Sequence, residues 1–100
     1  IFQPHLFSRT KDFLIDFAKA LENFDKIVLL DIYSAREEPI EGISSKSIYD
    51  IIENDNKSII KKSEIPKLLK SDSSELIITM GAGDIGDEVE LIKKTLAENL

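Results

Sequence analysis

Cysteine is absent from this sequence, and histidine occurs once. Without cysteine the chain has neither disulfide bonds nor thiolate ligands, and one histidine cannot build a histidine-rich cluster, so we predict no metal site. No apolar run approaches the roughly 18 residues needed to cross a bilayer, and no signal peptide is visible. We therefore expect a cytoplasmic protein with no membrane partner.

Positive charge is also scarce. The chain has 13 Lys and Arg against 19 Asp and Glu, a net charge of -6. Proteins that bind the phosphate backbone of nucleic acid need clustered Lys and Arg, so we expect no nucleic-acid partner. The 100 residues are 42% hydrophobic and 32% charged, which is typical of one soluble folded domain. The chain opens at Ile1 in what reads as the middle of a strand, and we interpret it as a fragment of a longer protein.

Apolar runs alternate with amphipathic stretches along the chain, and this alternation predicts strands and helices in turn. The strands are predicted at residues 1–3, 27–32, 57–61 and 76–80. The second and fourth are expected to be buried, and the third to lie near an edge. The helices are predicted at residues 8–24 (capped by Ser8 or Thr10), 44–52, 63–70 and 84–99. Such alternation favours an α/β domain with a parallel sheet.

Two of the predicted helices carry apolar stripes at helical spacing, which would face the sheet. The stripe of the first consists of Phe13, Phe17, Leu21 and Phe24, and that of the last consists of Val89, Ile92, Leu96 and Leu100.

Ligands of open α/β sheets bind outside the carboxyl ends of the strands. The predicted strands deliver His5, Asp31 and Tyr33 to that edge, together with the glycine turn at residues 81–83. Any binding site is therefore expected there.

The glycine turn GAGDIG, residues 81–86, has the letters of the dinucleotide fingerprint G-x-G-x-x-G. That fingerprint needs a second strand with an acidic residue about 20 positions further on, whereas only 14 residues follow Gly86. Asp84 and Asp87 crowd the start of the helix, where they would repel a pyrophosphate. We predict a tight turn that lets the helix pack close to the sheet.

His5 and Arg9 form a candidate anion site. A lone histidine is more often structural than catalytic, but this one follows a proline at a strand end. Arg9 lies near a helix start, where the helix dipole does not favour a cation. A guanidinium aimed at a carboxylate or phosphate would explain its position.

The stretch between Leu30 and Gly42 supplies weaker candidates. Asp31 could bind a hydroxyl group or cap the loop, and Arg36 with its two following glutamates could be a solvated charge run. Neither this stretch nor the rest of the chain has metal-ligand spacing, a phosphate-gripping loop or a nucleophilic serine turn.

Taken together, the motifs FQPHLFSRTKDF, LLDIYSAREEPIEG and GAGDIG resemble the C-terminal domain of the UDP-N-acetylmuramate–L-alanine ligases, the MurC family of Mur ligases. The resemblance covers essentially all of residues 1–100. It implies a Rossmann-like, three-layer α/β fold with a mostly parallel sheet. The fold would be incomplete, because the family's domain begins earlier with a further strand and helix.

The resemblance also implies an activity for a longer parent enzyme. Members of the family join L-alanine to UDP-N-acetylmuramate in peptidoglycan precursor synthesis, activating the carboxylate with ATP as an acyl phosphate. ATP and Mg²⁺ would bind mainly to a central domain that this chain lacks. The chain alone is expected to be inactive and to hold no catalytic residue, and its implied roles are substrate binding and domain closure.

Individual positions match the family's motifs. Those implied to hold the carboxylate or phosphoryl region of the substrate are His5 and Arg9. The loop implied beside the amino-acid end of the cleft consists of Gly81, Ala82 and Gly83. The residues implied to line the cleft are Asp31, Tyr33 and Glu37.

Two positions depart from the family's pattern. Leu6 stands where many members have Arg, and Arg36 stands where many have Gly. A second guanidinium role beside His5 is therefore absent or filled differently.

The alternative interpretation of the whole chain is a stand-alone α/β small-molecule-binding or receiver-like module without catalysis.

Overall fold

The computed structural model describes residues 1–98, a mixture of short helices and strands. The helices are α1 (Phe7–Asp12), α2 (Leu14–Leu21), α3 (Ser45–Tyr49), α4 (Ile65–Lys70) and α5 (Val89–Glu98). The strands are β1 (Ile27–Leu29) and β2 (Lys57–Ile59), and two 3₁₀ turns lie at Lys62–Glu64 and Asp84–Glu88. Within the described residues, no helix is long and apolar enough to span a membrane.

The sheet is parallel, as the alternating pattern predicts. β1 pairs with β2, with Ile27 opposite Lys57. On the other side of β1, Phe2 forms parallel bridges to both Leu29 and Met80. Four segments therefore run side by side in the order β2, β1, residues 1–3 and the segment ending at Met80, which confirms an α/β arrangement.

Helices cover both faces of this sheet. Leu29 packs in a cluster with α2 and α3, whereas Leu30 packs in a second cluster with α4 and α5. Successive side chains of an extended segment point to opposite faces. Leu29 and Leu30 are therefore buried in two different cores. Each is at most 1% exposed, and burying such a side chain stabilises the fold by about 1.5–3 kcal/mol.

The first helix differs from its prediction, because the chain turns out of helical geometry at Phe13 (φ -116°, ψ 24°) and two helices result. Neither Ser8 nor Thr10 caps the start. The Thr10 hydroxyl donates to the Leu6 carbonyl one turn back, a bond that competes with capping, and Ser8 bonds to Glu37.

The predicted apolar stripe of this first helical region is only partly buried. Phe13 is 49% exposed, whereas Leu21 is 5% exposed. Phe17 and Phe24 lie between these extremes, packed against the core that contains Leu29. The stripe therefore faces the sheet from its second position onward, after the break at Phe13.

The segment 76–80 is not the buried strand that its apolar letters predict. Leu76 is 77% exposed and Ile78 is 41% exposed, while Ile77 packs against the core. Its backbone still pairs with the first segment, since the Met80 amide donates to the Ile1 carbonyl at 2.8 Å. Ile77 and Met80 pack against the two cores on opposite faces of the sheet, whereas Leu76 and Ile78 belong to neither core and are exposed.

The last helical region begins with a 3₁₀ turn, so the α-helix starts at Val89 rather than at Asp84. Val89 is 42% exposed and is not part of the buried stripe. Ile92 is buried and Leu96 packs against the same core. The last predicted member of the stripe, Leu100, lies outside the described residues.

Candidate functional site

The carboxyl ends of the first segment and β1 lie side by side. His5 and Tyr33 form a parallel bridge, and their rings stack with centroids 5.7 Å apart and planes 14° apart. The Tyr33 amide donates to the Pro4 carbonyl, and the Leu6 amide donates to the Tyr33 carbonyl, each at 2.8 Å. Two of the sequence-predicted positions are therefore in direct contact.

Leu6 adopts an unusual backbone conformation beside this pair. Its φ of 68° and ψ of 138° belong to a region that side chains other than glycine rarely enter, at a cost of about 1–3 kcal/mol. Its hydrogen bond to Tyr33 and the start of α1 at the next residue hold it there. Such strain is concentrated at functional sites in proteins.

The glycine loop packs directly against Tyr33. A Cβ atom on Gly83 would lie 2.5 Å from Cγ of Tyr33 and 2.7 Å from Oε1 of Gln3. At Gly81, with φ +151°, a Cβ would lie 2.8 Å from the Gln3 carbonyl oxygen. Both glycines are needed for this close approach, and the exposed Ala82 lies between them.

The third glycine has a different environment. A Cβ on Gly86 would meet nothing within 4 Å, so the prediction of close packing holds for the first two glycines and is wrong for the third. Steric contact therefore requires glycine at positions 81 and 83 of this motif but not at position 86.

The sequence places Gln3 at the same strand end as His5 but assigns it no role, whereas in the structure it fixes the glycine loop to the sheet. Its side chain is buried, its Oε1 accepts a hydrogen bond from the Ile85 amide at 2.8 Å, and its Nε2 donates to Asp84. A buried amide needs such partners, because leaving it unpaired costs about 1–3 kcal/mol. The available signal was a single polar residue inside an otherwise apolar strand end.

Asp84 is also paired with Lys62. Hydrogen bonds from Lys62 and then from Gln3 lower the pKa of the Asp84 carboxyl below its ordinary value, and the same contact raises the pKa of Lys62. The sequence predicted Asp84 at the start of a helix. In the structure its carboxylate also joins the glycine loop to the chain after β2 through Lys62.

Glu37 lies at the same edge, against the start of α1. Its carboxylate accepts hydrogen bonds from the Ser8 amide at 2.9 Å and from the Ser8 hydroxyl at 2.5 Å. The hydroxyl bond and then the amide bond lower the pKa of Glu37. The loop after β1 is thereby joined to the segment that carries Arg9.

The two residues of the predicted anion site each have a polar group without a partner among the described residues. The buried Nδ1 of His5 has no hydrogen-bond partner among the described residues. Arg9 is exposed and lies in the last turn of α1 rather than near a helix start, because this helix already ends at Asp12. Within residues 1–98 its guanidinium makes no ion pair. No hydrogen bond joins the two side chains to each other.

A cavity of about 450 Å³ opens at this edge. Asp31, Tyr33 and Gln3 line it from the strand ends, and Lys62 and Asp84 line it from the opposite side. A cavity of about 500 Å³ lies at the other end of the strands, lined mainly by apolar residues near Ile1 and Leu76. Of the sequence-predicted site residues, Asp31 and Tyr33 line the cavity of about 450 Å³. Its lining does not include His5, Arg9, Glu37 or the glycine loop at residues 81–83.

The described residues do not by themselves fit a metal–nucleotide site. Among them, no group of three His, Asp or Glu side chains could hold a metal ion. The glycine loop is followed by Asp84 and Asp87, which disfavour a phosphate at that turn.

Curated proteins are similar to this chain over nearly its whole length. A UDP-N-acetylmuramate–L-alanine ligase of Christiangramia forsetii is 57% identical over 96 residues, which are 96% of this chain. Proteins of the same name from Flavobacterium psychrophilum and Parabacteroides distasonis are 59% identical over 98 residues and 44% identical over 100 residues. The chain is homologous to UDP-N-acetylmuramate–L-alanine ligases. No family model matches it.

This homology to the MurC ligases confirms the resemblance seen in the sequence. The chain spans about one fifth of the length of these relatives, between 21% and 22% of each. The ligase name belongs to those longer proteins.

Proposed function

We propose that this chain is the C-terminal, substrate-binding and closure domain of an ATP-dependent amide ligase. The longer enzyme would join L-alanine to UDP-N-acetylmuramate in the cytoplasm, with formation of an acyl phosphate. The homology over nearly the whole chain carries this proposal, since the relatives bear one name throughout.

The geometry of the sheet edge supports a binding role. Tyr33 contacts both His5 and Gly83, so each of the three motifs contributes to one wall. Since the carboxyl edge is where parallel sheets bind ligands, the three motifs meet where a substrate would be expected.

Arg9 is the residue proposed to hold the anionic group. An exposed guanidinium without an internal carboxylate partner can bind a carboxylate or phosphate in a bidentate manner. His5, whose ring is held against Tyr33, would contribute a neighbouring ring nitrogen. The reacting groups, ATP and Mg²⁺ would be bound mainly by domains outside this chain, so binding and water exclusion are the roles left to these residues.

The proposal is tested with the longer protein that carries this sequence. Purified enzyme is supplied with ATP, Mg²⁺ and UDP-N-acetylmuramate, and phosphate release is measured with and without L-alanine. We expect release that depends on L-alanine and is lost when residues 1–100 are deleted. Release that ignores L-alanine, or that survives the deletion, would contradict the proposal.

The isolated 100-residue chain provides the matching control. It should release no phosphate and should show no saturable change in its NMR spectrum on addition of L-alanine or ATP. Saturable binding by the chain alone, together with an inactive longer protein, would favour the stand-alone binding module instead.

A further inference from the structure

Helix α1 receives its cap from a distant part of the chain. The residue before the helix, Leu6, has no acceptor side chain and makes no capping bond. Glu37, 29 positions beyond Ser8, instead accepts hydrogen bonds from both the amide and the hydroxyl of Ser8. A carboxylate at this end satisfies a free amide and complements the helix dipole.

The loop that presents Glu37 is itself fixed at both ends. The Glu37 amide donates to the Ser34 carbonyl at 2.9 Å, and the Tyr33 carbonyl accepts from the Leu6 amide at 2.8 Å. Between them, Ala35 has a left-handed φ of 53°. The turn after β1 and the start of α1 are therefore joined by contacts on either side of the turn.

Arg9 directly follows the residue that Glu37 holds. Glu37 directs its carboxylate oxygens to Ser8 and forms no ion pair with Arg9. The guanidinium thus keeps its positive charge unpaired within residues 1–98, while its backbone is fixed by the contact one residue earlier. This arrangement fixes the backbone that carries Arg9 and leaves its guanidinium unpaired.

We propose that Glu37 is a positioning residue, which caps α1 through Ser8 and so fixes the direction in which Arg9 presents its guanidinium to an anionic substrate group. The inference rests on the proposed function, in which Arg9 binds that group. Glu37 itself need not touch substrate.

Kinetics of the longer ligase test this inference, with L-alanine as the varied substrate. Glu37→Ala removes the acceptor, and we expect KM for L-alanine to rise about tenfold, the scale of one lost charge-assisted hydrogen bond, with a smaller change in kcat. Glu37→Gln keeps one acceptor oxygen and should restore most of the loss. Glu38→Ala is the matched control, because Glu38 is exposed and makes no hydrogen bond or ion pair among the described residues.

A double variant separates positioning from a general structural effect. If Glu37 acts through Arg9, Glu37→Ala should add nothing to the rise in KM already caused by Arg9→Ala. Equal effects of Glu37→Ala with and without Arg9, or an unchanged KM in a folded Glu37→Ala enzyme, would overturn the inference.

The proposed function fails in a different way. A normal KM and kcat in Arg9→Ala would remove the anion-binding role from Arg9 and this inference with it. The expected loss in Arg9→Ala, combined with no effect of Glu37→Ala, would remove only the positioning role. Circular dichroism of each variant, with Glu37→Gln as the milder change, shows that folding is retained.

Discussion

The interior of the sheet and its carboxyl edge are stabilised by different forces. Leu29 and Leu30 are buried in two apolar clusters, each of which includes residues from two helices. At the edge, Gln3 and Glu37 instead hold loops through a few hydrogen bonds. The stabilisation from apolar burial is the sum of many contacts, whereas each hydrogen bond at the edge depends on one donor and one acceptor. We therefore expect changes in the interior to affect stability and changes at the edge to affect the geometry of binding.

The largest expected effect is at the interior. Leu29→Ala removes a fully buried side chain and should lower the free energy of unfolding by about 2–5 kcal/mol. Leu76→Ala is the control, because Leu76 is 77% exposed and should change stability by less than about 0.5 kcal/mol. Urea denaturation of the isolated chain measures both. Similar losses in the two variants would show that burial does not distinguish these regions.

A change in the glycine loop is expected to have an intermediate effect on stability. Gly83→Ala would force a Cβ against the Tyr33 ring at 2.5 Å, and we expect a loss of about 1–3 kcal/mol from overpacking. Gly86→Ala is its matched control, because nothing lies within 4 Å of the added atom. It should be neutral or slightly stabilising. Thermal unfolding compares the two, and equal changes in Tm would contradict the packing described for the loop.

The smallest stability effect is expected at the ion pair of Lys62 and Asp84. Because the folded-state pKa of Asp84 is lowered, its contribution is present above the ordinary value of 3.8 and is lost as the pH falls through the lowered value. Lys62→Met should lower Tm at pH 7 by no more than roughly 5 °C, since the pair is partly exposed.

This difference should disappear at acid pH. Below the lowered pKa of Asp84, the Tm values of wild type and Lys62→Met should converge. Lys67→Met, a change of an exposed lysine with no ion pair among the described residues, should match wild type at both pH values. A difference between wild type and Lys62→Met that persists unchanged at pH 2 would contradict the assigned contact.

Much of the fold follows from the sequence because apolar periodicity is a local signal. The alternation of strands and helices, the buried run around Leu29 and the meeting of His5 with Tyr33 all follow from it. The exposure of Leu76 and Ile78 does not, because an apolar side chain does not reveal whether another element of the fold covers it. The long-range partners of Gln3 and Ser8 are equally hidden, since each lies dozens of positions away along the chain.

The roles of the candidate site residues had to come from the resemblance. Letters such as those of residues 81–86 fit a dinucleotide fingerprint, yet their contacts are with Gln3 and Tyr33 of the same sheet edge. The role of such a loop depends on which other loops it contacts. Those contacts are set by the topology of the fold rather than by the spacing of residues in one motif.

The most direct test of the account is the response of the longer ligase to Arg9→Ala. Loss of a preorganised guanidinium should cost on the order of 2–4 kcal/mol of transition-state stabilisation, seen as a fall in kcat/KM for L-alanine-dependent phosphate release. Lys11→Ala, which removes an exposed cation from the same helix, should leave kcat/KM unchanged. Normal kinetics in Arg9→Ala, with the enzyme folded, would contradict the claim that this sheet edge binds the substrate anion.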